Sequence, residues 1–248
     1  MGTFRRRLLL AVDAKGYGRV DVVTQRQLQE AIQKLLVVSA DASGLERERW
    51  ETQVGGDSVL AVLPEGSSEP HLVDTFMRHL DAGLREFNHG RVREAWLRLR
   101  VAVHFGSAAP AANGFEGRAP VEIGRMLDSA ALRSALDAAP DACMALAVSS
   151  TVFNDVIREA YTTIRAQEFH EVRIEEKEYA GRIWIRVPGH DGQASGSGTV
   201  VEPAQGGAKG GEVPDARPSN ASTARGDTVV QVISGTVHAP GAVFGISK

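Results

Sequence analysis

Gln53–Pro64 reads QVGGDSVLAVLP, and the fold can be worked out from this stretch. Trp50 to Val54 and Ser58 to Leu63 are short runs of strand-forming residues on either side of Gly55-Gly56-Asp57. Tight two-strand turns need residues that tolerate left-handed backbone, and Gly and Asp supply it, so the stretch predicts a β-hairpin. Upstream, Leu8 to Val12 is a continuous apolar run followed by Asp13 and a glycine-containing loop, the pattern of a buried strand. Between strand and hairpin, Leu28, Ile32, Leu35 and Leu36 recur at helical spacing, with Thr24 placed to cap the helix.

Downstream, Pro70 opens a second helix with the stripe Leu72, Phe76, Leu80, Leu84 and Phe87. Leu97 to Phe105 alternates apolar with polar and reads as a strand ending at Gly106. A Gly/Ala/Pro loop then leads into a helix predicted over Val121 to Ala138. Cys143 to Val148 predicts another buried strand and Thr151 to Arg158 a short helix. Val172 to Glu178 and Arg182 to Val187 predict a closing hairpin around Ala180-Gly181. Helices and strands mix with antiparallel hairpins among them, so the class is α+β.

The composition sets limits on function. The chain has 248 residues, 43% of them hydrophobic, enough for one substantial domain with a tail. A net charge of −3 gives no reason to expect binding to nucleic acid or to a membrane surface. The histidines show no metal-ligand spacing. The single cysteine, Cys143, cannot form an internal disulfide, which suits a reducing cytoplasm. Arg5 to Arg7 precede an apolar run too short for a secretory core, so the N-terminus is read as a soluble first strand.

From residue 189 the composition changes. Residues 189–227 are rich in Gly, with Pro203, Pro214 and Pro218 and no Leu, Ile, Met, Phe, Tyr or Trp. Such a segment buries too little apolar surface to offset its ordering entropy, and a flexible linker is expected. Residues 228–248 turn apolar and β-branched again. Val229, Val230, Val232 and Ile233 lie in an uncharged, proline-free stretch with Gln231 between valines. That composition suits strand addition or cross-β stacking. The competing reading is a last hairpin that docks on the domain, or a frayed tail.

Two aspartates carry the chemical signal. Asp13 follows the first strand and Asp57 sits in the hairpin turn. Carboxylates at the ends of neighbouring strands can share Mg²⁺, which takes a few carboxylates plus substrate phosphates. Taken alone, each Asp equally well starts a turn before Gly.

The order of motifs adds to this. VDAKGYG (Val12–Gly18) resembles the first metal motif of class III adenylate and guanylate cyclases, and Gln53–Pro64 looks like their hairpin bearing the second metal aspartate. LRLRVAVHFG (Leu97–Gly106) resembles their central strand, and GRAPVEIGRMLDSAAL (Gly117–Leu132) their helix of transition-state residues. EKEYAGRIWIRVPG (Glu176–Gly189) is similar to the closing hairpin of cyclase-homology proteins of actinobacteria. The resemblance spans residues 1–188 and implies a ferredoxin-like cyclase palm with a mixed, largely antiparallel sheet.

It also implies roles. Asp13 and Asp57 match the ligands of Mg²⁺ or Mn²⁺, and Arg125 matches the arginine that stabilises charge on the transferring phosphate. A nucleoside triphosphate is the implied ligand, and a homodimer the implied assembly, since sites of this family form between two subunits. Gln53 stands at the base-selecting lysine, the second base-selecting position falls near Gly114, and Val121 replaces the expected asparagine. A shift of the loop before this helix would bring Glu116 or Glu122 into play instead. Loss of one positioned donor costs about 3 kcal/mol, about a hundredfold in rate, so a degenerate cyclase serving as a signalling adaptor is expected. The alternatives are an active divergent cyclase and a ligand-free dimerisation module. TVVQVISGTVHAPGAVFG (Thr228–Gly245) loosely resembles bacterial amyloid signalling motifs akin to the RIP homotypic interaction motif. Val230, Gln231 and Val232 form its core, and the expected glycine is delayed to Gly235. The implied partner is a protein that pairs with this segment strand to strand.

Overall fold

The computed structural model describes residues 5–176 and 179–190. The first part is a βαββαβ unit made of β1 (Arg6–Ala14), α1 (Val22–Ala42), β2 (Glu51–Gly55), β3 (Ser58–Val62), α2 (Met77–Asn88) and β4 (Leu99–Ser107). A π-helical turn, His71–Phe76, leads into α2. A small hairpin follows, β5 (Ala109–Ala111) with β6 (Gly114–Glu116), and then α3 (Arg118–Leu127) and α4 (Ala130–Ala138). β7 (Met144–Ser149), β8 (His170–Glu176) and β9 (Tyr179–Arg186) complete the sheet. Its seven strands run β2-β3-β1-β4-β7-β9-β8. All neighbours are antiparallel except β4 and β7, so the sheet is mixed and the class α+β, as expected.

The continuous apolar character of β1 has a direct cause: both of its faces are covered. Leu8, Leu10, Val12 and Ala14 join the core under α1 and α2, while Leu9 and Ala11 join the core under α3 and α4. The two faces differ in size. Toward α1 and α2 the sheet presents Leu99, Val101, Val103, Met144, Leu146 and Val148. Toward α3 and α4 the central strands present Ala11, Ala102, Ala145 and Ala147. Small side chains there let the helices lie close to the backbone of the sheet.

Several local expectations are corrected. Asp21, not Thr24, caps α1: its carboxylate accepts from the Thr24 amide at 2.9 Å. The helix expected over Val121 to Ala138 is two helices, broken where Ser129 caps α4 and accepts from the Leu132 amide. Ala180 and Gly181 lie inside β9, paired with Glu175 and Ile174, rather than in the turn. The loop after β4 contains the β5–β6 hairpin, whose Ala-Pro-Ala and Gly-Phe-Glu strands are too short to show a period. Trp184 is a packing residue, stacked on Phe153 with centroids 4.5 Å apart. Among the described residues, no helix is long and apolar enough to cross a membrane. The expected linker beyond its first two residues, and the segment carrying Val230, Gln231, Val232 and Gly235, lie outside the described residues.

Candidate functional site

The hairpin turn places Asp57 beside β1. Gly56 takes the left-handed conformation the turn needs, with φ of 66°. Asp13 pairs in register with Ser58, and the Ala14 amide donates to the Asp57 carbonyl at 3.2 Å. Both aspartates therefore sit at one end of the sheet. Asp13 alternates with Val12, so its side chain lies on the α3 face of the strand along with Ala11 and Leu9.

Arg100 occupies the same face of β4, directly opposite Asp13 in the register, and its guanidinium pairs with Asp13 Oδ2. Both side chains are largely enclosed, at 16% and 17% exposure. Burial raises the Asp13 carboxyl above its ordinary range; Arg100 opposes this, and the charges of Asp57 and Asp128 push it further up. Asp128 closes the C-terminal end of α3, so strand, hairpin and helix each bring a carboxylate toward this end of the sheet.

This crowding bears on the divalent cation implied by the resemblance. Among the described residues no group of three or more His, Cys, Asp or Glu side chains converges to cage a metal. Mg²⁺ does not require one, because it is commonly held by one or two carboxylates with phosphate oxygens and water. Asp13 and Asp57 are the carboxylates the resemblance implies for it. The Asp13 carboxylate is paired with Arg100, which competes for one of its oxygens, and the nearby charge of Asp57 adds to the burial that raises it.

Next to this end lies a cleft of about 220 Å³ between the hairpin and α3. Gln53, Ser58 and Leu60 form its sheet side, and Pro120, Ile123 and Gly124 its helix side. The two positions matched to base selection meet here: Gly114 of β6 packs on the Gln53 side-chain amide so closely that a Cβ would collide with it. Neither carries a charge. Arg125, half-buried on α3, is not among the residues lining the cleft. Val121, one turn before it, is 55% exposed. Glu122 faces β4, where its Oε2 lies 2.9 Å from His104 Nε2, and it also pairs with Arg118.

Arg100 and Asp128 were not singled out from the sequence. Arg100 did leave a trace, a charged residue inside the strand run LRLRVAV, but its partner depends on a register between strands far apart in the chain.

No family model and no curated protein sequence matches the chain. Solved structures do. The adenylate/guanylate cyclase/hydrolase from Silicibacter pomeroyi aligns with a TM-score of 0.52 at 17% identity, over 76% of this chain and 100% of the other. The guanylyl cyclase Cya2 aligns with a TM-score of 0.51 at 12% identity, over 75% of this chain and 92% of the other. At such identities the likeness establishes the fold, that of an adenylate/guanylate cyclase domain, and nothing finer.

Proposed function

We propose that this cyclase-fold domain, of the divergent type suggested by its closing hairpin, is a signalling module that holds a nucleoside triphosphate but cyclises it poorly or not at all. The observation that carries this reading is the uncharged pair Gln53 and Gly114 at the cleft. A site that reads a purine edge needs donors and acceptors fixed against it, and a glycine offers no side chain. Without that orientation the ribose hydroxyl is not held for in-line attack, which is where much of the rate of such a reaction originates. Val121 in place of a hydrogen-bonding residue removes a further donor, worth about a hundredfold or more in rate.

Phosphate binding is a separate matter. Asp13 and Asp57 would hold Mg²⁺ or Mn²⁺, and a bound divalent cation supplies charge neutralisation to the phosphate oxygens. Arg125 is the candidate for contact with a phosphate across a homodimer, in keeping with a position outside its own cleft. The β-prone segment around Val230, Gln231, Val232 and Gly235 is proposed to recruit a protein partner by β-pairing, with residues 189–227 as tether. The cytoplasm is the proposed compartment.

The second reading, an active divergent cyclase, is favoured by the joint presence of Asp13 and Asp57 at one end of the sheet. One experiment separates the two. The full chain is incubated with each of ATP, GTP, CTP and UTP and Mg²⁺ or Mn²⁺, with Asp57→Ala as control, and both thermal shift and cyclic product are read. A metal-dependent shift without product supports the first reading, and product lost in the variant supports the second. No shift at millimolar nucleotide removes the first reading, and no cyclic product from any of the four removes the second.

A further inference from the structure

The sheet itself builds the Asp13–Arg100 pair. β1 and β4 run antiparallel with these two residues directly opposite, so strand pairing rather than a loop sets how far apart their backbones lie. The guanidinium reaches Asp13 Oδ2 through Nη2, while its Nε is buried without a hydrogen-bond partner. The pair is therefore not the two-pronged fork in which arginine binds a carboxylate most strongly. Asp57 and Asp128 also act on the Asp13 carboxyl, and among the described residues Arg100 is the basic side chain that opposes them.

We propose that Arg100 restrains the cation site: its guanidinium holds the Asp13 oxygen that a divalent ion would take, so that ion binding and release of Arg100 are one exchange. This rests on the reading that Asp13 and Asp57 take Mg²⁺ or Mn²⁺, and it adds what sets the affinity. Two cations on one carboxylate repel each other, and more strongly between largely enclosed side chains than in open water. A lysine could relieve the conflict by giving up its proton, but a guanidinium keeps its charge. Arg100 must then leave the carboxylate or weaken the ion's hold on it. Leaving is feasible because the contact runs through Nη2 and no bond at Nε anchors the group in place. Before the ion arrives, the same arginine offsets part of the cost of enclosing a charged carboxylate. The domain thus folds with this end already charge-paired and admits a divalent ion only by exchange.

Mn²⁺ alone is the probe, titrated into the full chain without nucleotide and followed by the loss of the free-ion EPR signal. An adjacent guanidinium changes a carboxylate's hold on a proton by about ten- to a thousandfold, and Mn²⁺ is expected to bind Arg100→Met at least about tenfold more tightly than the wild type. Adding Asp13→Ala to Arg100→Met should abolish that gain; a gain that survives it overturns the proposal. Equal or weaker Mn²⁺ binding by Arg100→Met also overturns the restraint and leaves the cation reading standing. No binding by either chain at millimolar Mn²⁺ removes the cation reading and the restraint with it. The wild type gives a second measurement that needs no variant. In an NMR titration with Mg²⁺, the Arg100 Nε–H should exchange faster with water as the ion binds and the guanidinium leaves the carboxylate. An Nε–H that is unchanged at saturating Mg²⁺ ends the proposal.

Discussion

Replacing Asp13 separates the roles of charge and hydrogen bonding at the end of the sheet. In Asp13→Ala the Arg100 guanidinium, 16% exposed, loses its carboxylate. A charged donor left largely buried costs about 2 kcal/mol. For a domain of this size about 2–4 °C accompanies each kcal/mol, so the midpoint should fall by about 4–8 °C. Asp13→Asn should behave differently. The Asp13 carboxyl is raised above its ordinary 3.8, chiefly by burial and in spite of Arg100. Stability linked to a raised carboxyl is greatest below the unfolded value and is lost as pH rises through the folded one. At pH 7 the charge on Asp13 is therefore a net cost, and an asparagine, which has no charge and still offers Arg100 an acceptor, should leave the midpoint unchanged or higher. Thermal denaturation by circular dichroism at pH 7, without nucleotide or metal, reads both variants. If Asp13→Asn loses as much as Asp13→Ala, the Coulomb attraction of Arg100 exceeds the burial cost and this reasoning is wrong.

Three further outcomes follow from packing. Gly106→Ala should lower stability by about 1–3 kcal/mol through overpacking against Ala119 and His104, and Ala119→Gly in the same chain should recover part of the loss in a urea titration. Phe153→Ala removes a ring stacked on Trp184 and set edge-on to Phe169, and should cost about 3–5 kcal/mol by the same measurement. Asp74→Ala frees the Thr163 amide and hydroxyl, which donate to its carboxylate at 2.6 and 3.1 Å. It should cost about 1–3 kcal/mol, with hydrogen exchange quickening at residues 161–165 before α2 is affected.

The parts of the fold that could be read in advance are those where local chemistry and tertiary burial agree. The Gly55-Gly56-Asp57 turn specifies its own backbone, and the run at β1 is apolar because two helical layers cover it. The break between α3 and α4 was hidden because Ser129 is a modest residue in an otherwise helical pattern. What marks it as a cap is its side-chain bond to the Leu132 amide, together with its own donation to the Met126 carbonyl. Ala180-Gly181 misled for the opposite reason, since small residues suit both a turn and the closely packed β9. At the site, Asp13 and Asp57 were singled out from motif order, and the structure brings them to one end of the sheet. Arg100, Asp128 and the His104–Glu122 contact were not, because each depends on a strand register or helix rotation with no local signature. The contact between Gln53 and Gly114 was half-visible: both positions were noted, but not that one rests on the other.

The central place of β1 also bears on biosynthesis. β1 is hydrogen-bonded on both sides to strands that follow it in the chain, and Asp13 and Arg100 are 87 positions apart. At ribosomal speeds of about 5–20 residues per second, on the order of 4–17 s passes before Leu8–Val12 acquires its second neighbour. During that interval its most water-averse segment has no finished sheet to enter.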